Sequence, residues 1–216
     1  MYEVILFDLD GTLTDPGEGI TNSVAHALER LGRPVPPRQA LYRFIGPPLC
    51  ESFMDFCGLD RPGGLRAVEL YREYYREKGI WENQVYAGIP ELLAQLRSAG
   101  RKLLVATSKP EEFAHQILEH FHLSPYFDFV SGASMDSRRV RKADVIARAL
   151  AHEGLTPGPE LVMVGDREHD VLGAREAGLD CVGVLFGYGS RAELEAAGAA
   201  KIAATVPELA RILLEV

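Results

Sequence analysis

Apolar residues along this chain follow two patterns. Five runs are nearly continuous: YEVILF at 2–7, KLLVATS at 102–108, FDFVSG at 127–132, ELVMVGD at 160–166 and CVGVLFG at 181–187. Runs of this length, β-leaning and closed by Asp, Ser or Gly, predict strands buried on both faces, as in a parallel sheet. Between them, helical spacing recurs at about 89–99, 111–122, 142–153 and 168–177. Strand and helix therefore alternate, which predicts an α/β fold built on a doubly wound parallel sheet.

The interval 15–85 breaks this alternation. It holds no strand-like run and predicts helices near 18–31, 37–45, 49–57 and 63–78, an all-helical insert. Asp15, Pro16 and Gly17 supply turn chemistry on entry, and Tyr86, Ala87 and Gly88 on return. The expected division is a core of 1–14 and 86–216 with a helical domain at 15–85. Both crossings fall near the carboxyl end of the first strand, where such an insert can act as a lid. A last helix is expected over 206–216.

Composition narrows the function classes. With 216 residues, 47% hydrophobic and 25% charged, the chain is long enough for a substantial core and has the make-up of a globular protein. A net charge of −8 argues against a dedicated nucleic-acid surface, so an anionic substrate needs a local cationic pocket. Cys50, Cys57 and Cys181 are too few for a disulfide framework, and Cys50 and Cys57 sit two helical turns apart as packing residues. No window approaches roughly 18 apolar residues, and the first strand begins without a basic-then-apolar leader pattern. The expectation is a cytoplasmic protein with neither a membrane nor a nucleic-acid partner.

Four pieces of candidate chemistry each sit where a strand gives way to a loop. Asp8 and Asp10 end the first strand, one residue apart and followed by Gly11. One such carboxylate can attack phosphorus while the other donates and accepts a proton. Thr107 and Ser108 end the next strand before a helix, where hydroxyls and free N–H groups bind phosphate; Ser108 with Glu111 also fits a capping box. Arg138, Arg139, Arg141 and Lys142 crowd a helix start against the helix dipole, with Lys142 the expected phosphate and nucleophile partner and the arginines expected to be solvated. Asp166 and Asp170 close the fourth piece. Together with Asp8 they form an oxygen-ligand set suited to Mg2+. His115, Glu119 and His122 read instead as the solvated face of a helix, and the GYGSR loop at 187–191 either flanks the site or merely turns the chain.

DLDGTL at 8–13, the strand end at Thr107, Lys142 and GDREHD at 165–170 resemble the four motifs of the haloacid dehalogenase-like hydrolases. The insert resembles that family's C1-type cap. DGTLTDPGEGITNS, IGPPL at 45–49, ATSKP at 106–110 and KADVI at 142–146 are similar to its phosphoglycolate phosphatase-like and bacterial 5'-nucleotidase-like members. The resemblance implies a Rossmann-like core and a Mg2+-dependent phosphatase acting on a small phosphorylated metabolite, as a monomer or homodimer. Asp8 would be the nucleophile. Asp10 would be the acid and base and a metal ligand through its carbonyl, and Thr107 a phosphate ligand. Lys142 would be the charge partner, Asp166 a direct Mg2+ ligand, and Asp170 would hold metal water or Lys142. It also points Arg43, Gly46 and Pro47 toward selection of the leaving group. Lys142 is followed by Ala143 where many relatives have proline, which leaves Arg141 as a second candidate. A phosphomutase with the same core and a phosphate-ligand sensor without turnover are the rival readings.

Overall fold

The computed structural model describes residues 1–135 and 139–215. In chain order the elements are β1 (Val4–Phe7), β2 (Thr14–Asp15), α1 (Gly17–Arg30), α2 (Arg38–Leu41), α3 (Leu49–Cys57), α4 (Arg61–Tyr74), β3 (Gln84–Val85), α5 (Ile89–Ser98), β4 (Lys102–Pro110), α6 (Glu111–His120), β5 (Phe129–Ala133), α7 (Lys142–Glu153), β6 (Leu161–Gly165), α8 (Glu168–Glu176), β7 (Asp180–Val184), α9 (Arg191–Ala197), β8 (Lys201–Ala203) and α10 (Val206–Leu214). They divide into two compact units, Met1–Thr14 with Val85–Val216, and Asp15–Gln84.

The first unit is built on a six-stranded sheet in the order β5-β4-β1-β6-β7-β8. Every pairing in it is parallel. All four β1 side chains are buried, which explains its unbroken apolar run. Val4 and Leu6 join Val145, Ile146 and Ala149 of α7 and Val171 and Ala174 of α8 in one core cluster. Ile5 and Phe7, which point the other way, are also fully buried. Each such side chain contributes about 1.5–3 kcal/mol by leaving water. From β1 the chain moves to β4 and β5 on one side, then returns to β6, β7 and β8 on the other. Strand order thus reverses beside β1, and the carboxyl ends of β4, β1 and β6 meet at the switch point where open α/β sheets bind ligands.

The five strands expected from the apolar runs are present, joined by β8, whose three residues are too few to carry a pattern. Helix α9 was also not predicted, although its start carries a capping signal: the Glu193 N–H donates to Ser190 Oγ at 3.1 Å. Strand β4 is irregular. It pairs normally from Leu104 opposite Phe129 to Ala106 opposite Ser131, then resumes with Pro110 opposite Ala133. Thr107, Ser108 and Lys109 occupy the bulge, and a bulge re-aims the side chains it carries.

The second unit is helical. The single helix expected over 63–78 is α4 followed by a π-helical turn at Tyr75–Gly79. The expected 37–45 helix is α2 and a 3-10 turn at Tyr42–Phe44, ending just before Gly46, whose φ is 103°, and Pro47. Phe44 packs against Phe53 and Phe56 at 5.1 and 5.3 Å between ring centres. Helix α1 approaches the π turn so closely that a Cβ on Gly19 would lie 1.9 Å from the Gly79 carbonyl oxygen. Asn22 and Tyr74 both donate to the Glu82 carboxylate at 2.9 Å. No helix among the described residues is long and apolar enough to cross a membrane.

Candidate active site

Asp8 directly extends β1, its N–H donating to the Val164 carbonyl at 2.9 Å as the ladder to β6 continues. Asp166 directly follows β6 and is fully buried. Asp170 lies in the first turn of α8, where its Oδ2 accepts from the Arg167 N–H at 3.0 Å. The acid near a helix start therefore caps that helix and still presents its other oxygen. One carboxylate oxygen from each of Asp8, Asp166 and Asp170 falls within 4.8 Å of the others.

Lys142, the first residue of α7, reaches into this group. Its Nζ lies 2.8 Å from Asp8 Oδ1 and 2.7 Å from Asp170 Oδ1, and donates to the Ala106 carbonyl at 3.0 Å. Burial alone would pull its pKa down. The charges of Asp170 and Asp8, with their hydrogen bonds, outweigh that and raise it above the ordinary lysine range. Arg141 does not share this position: it is exposed and pairs with Glu176 at 2.5 Å. Arg139, expected in solvent, is half-buried because its Nε donates to the Gly132 carbonyl at 3.0 Å. Arg138 lies outside the described residues.

The loop after β7 closes around Asp166. The Tyr188 N–H donates to Asp166 Oδ2 at 2.7 Å. A Cβ on Gly187 would lie 2.2 Å from the Gly11 carbonyl oxygen, and one on Gly11, whose φ is 84°, would lie 2.3 Å from Asp166 Oδ2. The glycines of the first motif and of the GYGSR loop thus serve one purpose, close approach to this carboxylate. Its Oδ1 is buried without a hydrogen-bond partner. Burial, then repulsion from Asp170, pushes the Asp166 carboxyl well up, the Tyr188 N–H offsetting only part.

Asp10 turns elsewhere. Its Oδ2 accepts from Lys109 Nζ at 2.6 Å, and both residues are buried. Burial raises its pKa and Lys109 opposes the rise. Lys109 was missed in the sequence because it stands beyond the expected end of its strand. The available signal was its place two residues after Thr107, hence on the same side of an extended chain. Thr107 is buried, its Oγ1 accepting from the Lys109 N–H at 3.2 Å. Ser108 is half-buried and forms no capping box, since Pro110 stands at the N-cap of α6. Glu111, its expected partner, instead accepts from the Gly132 N–H at 3.0 Å and from Arg148.

Arg43, Gly46 and Pro47 belong to the helical unit. There Arg43 donates to the Phe56 carbonyl at 3.3 Å and lies 4.4 Å over the Phe56 ring. His115, Glu119 and His122 are exposed.

The charges in the core unit favour a divalent cation. Asp8, Asp10, Asp166 and Asp170 are four buried carboxyl groups facing the two buried ammonium groups of Lys109 and Lys142. With the acids ionised, two negative charges stay uncompensated, a costly state in a buried site. An all-oxygen donor set with the unpartnered Oδ1 of Asp166 fits a hard cation such as Mg2+, which would also reverse the upward pull on that carboxyl. The whole arrangement can hold a phosphoryl group beside a carboxylate nucleophile and a second, separately held carboxyl.

Comparison with known proteins finds relatives in sequence and in fold. A 5'-nucleotidase of Pseudomonas aeruginosa is 49% identical over 195 residues, covering 90% of this chain and 88% of that protein. Tyrosine-protein kinase PtkA of Mycobacterium tuberculosis is 44% identical over 214 residues, covering 98% of this chain and 72% of the kinase. The crystal structure of a predicted phosphatase from Clostridium acetobutylicum superposes with a TM-score of 0.97 at 45% identity, covering all of both chains. The family model for haloacid dehalogenase-like hydrolases matches residues 5–184. A match of that extent, over a sheet whose strands lead directly into Asp8 and Asp166 and a helix that starts at Lys142, makes the chain a member of the haloacid dehalogenase-like hydrolase family.

Proposed function

We propose that this enzyme is a Mg2+-dependent phosphatase that hydrolyses small phosphomonoesters through a phosphorylated Asp8. The observation that carries this reading is the buried convergence of Asp8, Asp166 and Asp170, with Lys142 held between Asp8 and Asp170, at the switch point of the sheet. Asp8, Asp166 and the Asp10 carbonyl would hold the cation, which when bound supplies positive charge to the phosphoryl oxygens. Thr107, Lys142 and the backbone N–H groups at the start of α6 are the groups to hold those oxygens. An Asp8 oxygen bonds to phosphorus as the ester oxygen departs, taking its proton from Asp10. Water then attacks the same phosphorus, gives its proton to Asp10, and the bond to Asp8 breaks to release inorganic phosphate.

The nucleotidase relative supports nucleoside 5'-monophosphates as one substrate class, and the motif resemblance supports phosphoglycolate as another. Phosphate release is to be measured on both, and on sugar phosphates, with Mg2+ and with chelator. The expected result is Mg2+-dependent turnover of at least one class, lost in Asp8→Asn with the fold retained. Turnover undiminished in chelator, or in pure Asp8→Asn, overturns the mechanism. Phosphate appearing on a tyrosine hydroxyl or a sugar hydroxyl instead of in solution identifies a phosphotransferase.

A further inference from the structure

The two buried lysines of the site divide three of its four carboxylates between them. Lys142 takes Asp8 and Asp170, and Lys109 takes Asp10. The second pairing is a product of the β4 bulge. β1 and β4 run in register, Phe7 beside Val105, so continuing the ladder would set Asp10 beside Ser108. The slip between Ala106 and Pro110 breaks that register and brings the neighbouring residue, Lys109, onto Asp10. The Lys109 side chain is 4% exposed and that of Asp10 11%, so this is no surface ion pair. Lys109 holds Asp10 by Oδ2, and the other oxygen, Oδ1, is buried with no hydrogen-bond partner.

We infer that Lys109 is a positioning residue for Asp10: it fixes one carboxyl oxygen so that the other is aimed at the leaving group. This inference rests on the proposed function. A buried ion pair missing one partner leaves the other free to re-orient, and a proton donor must be within hydrogen-bond reach of the atom it serves. Losing Lys109 should therefore resemble losing the use of Asp10, while the contacts that Lys142 makes with Asp8 and Asp170 remain.

The test compares kcat/KM, which covers only the steps up to leaving-group departure, for p-nitrophenyl phosphate and for an alkyl phosphate whose departing oxygen needs a proton. Lys109→Met should lower the alkyl value at least about tenfold more than the aryl value, within the range general acids contribute. Asp10→Asn should show the same selectivity, and the double variant should be no worse than Asp10→Asn alone. Lys109→Arg, which keeps a donor on Oδ2, should recover part of the loss. If Lys109→Met does not fold, Lys109→Ala, which also removes the donor, carries the same comparison. Equal losses on both substrates, or losses that multiply in the double variant, overturn the role of Lys109 while leaving the phosphatase reading intact. A wild-type chain without phosphatase turnover removes both.

Discussion

Lys142 illustrates how much one side chain in this protein is asked to do. Its ammonium sits between two buried carboxylates, so Lys142→Met leaves Asp8 and Asp170 without their cation. Removing one partner of a buried pair typically costs about 3–5 kcal/mol. Urea unfolding in chelator should register a loss of that order, and phosphate release should fall at least about a hundredfold. Because the folded pKa of Lys142 is raised, the stability it lends is fully present below its unfolded value of about 10.4 and is lost only as pH rises through the higher folded value. The lysine's own titration should therefore add no slope to the difference between wild-type and Lys142→Met stabilities from neutrality to about pH 10. A slope there comes from the acids it faces, Asp170 above all, whose pKa burial raises and Lys142 holds down. Cys181 offers a check of a different kind. Burial, chiefly, pushes its thiol well up, whereas Cys50 and Cys57 are half-buried. In native protein at mildly alkaline pH, iodoacetamide should leave Cys181 unmodified by intact mass, and label it once the chain is unfolded. Labelling at the rate of an unfolded thiol would contradict the packing of β7.

At the scale of elements, the closest approach within the helical unit is the most exposed to test. α1 meets the π turn after α4 through Gly19, with Gly79 and Glu82 receiving it. Gly19→Ala forces backbone apart, not merely a flexible side chain. It should destabilise that unit by about 1–3 kcal/mol, the usual effect of overpacking, despite the better helix propensity of alanine. Thermal or chemical unfolding measures this directly, and a stabilised Gly19→Ala would refute the contact. The same contact accompanies the break of the helix expected as one piece over 63–78 into α4 and a π turn. A 3.6-residue pattern continues through Tyr75, but the π turn widens the helix where α1 presses on it. The β4 bulge is a similar case, since its residues read as a plain strand end and only pairing with β5 reveals the slip.

For the molecule as a whole, metal binding and substrate choice are the properties to measure. If the acids around Asp166 hold Mg2+, the ion should raise the melting temperature in a concentration-dependent way, by up to about 2.7 kcal/mol of stability at a hundred times its dissociation constant. Asp166→Ala should abolish that shift, a readout independent of turnover. An equal shift in the variant would show that the ion binds elsewhere. Substrate choice was assigned in part to Arg43, whose guanidinium is engaged with the carbonyl and ring of Phe56. If it also reads the leaving group, Arg43→Ala should raise KM for phosphoglycolate roughly tenfold or more, as for loss of a charged hydrogen bond, and leave p-nitrophenyl phosphate nearly unchanged. Equal changes on both substrates would confine Arg43 to packing against Phe56 and favour a nucleotide or broad-range enzyme.

The sequence alone determined the alternating strands and helices, the helical interruption, and the carboxylates at Asp8, Asp10, Asp166 and Asp170. These were legible because burial on both faces of a strand imposes a continuous apolar run, and a charged residue ending such a run stands out. Lys142 was legible as well, since a cation at a helix start runs against the dipole. Tertiary structure decided the rest. That Lys142 rather than Arg141 meets the acids depends on where α7 begins relative to β1, and Lys109 reaches Asp10 only through the β4 bulge. The GYGSR loop acquires meaning from Asp166, which lies far from it in sequence. Arg139 is tied to the Gly132 carbonyl for a similar reason. Sequence periodicity reports how each segment meets water, whereas a pairing between separated residues depends on register and helix placement, which are settled only when the segments pack together.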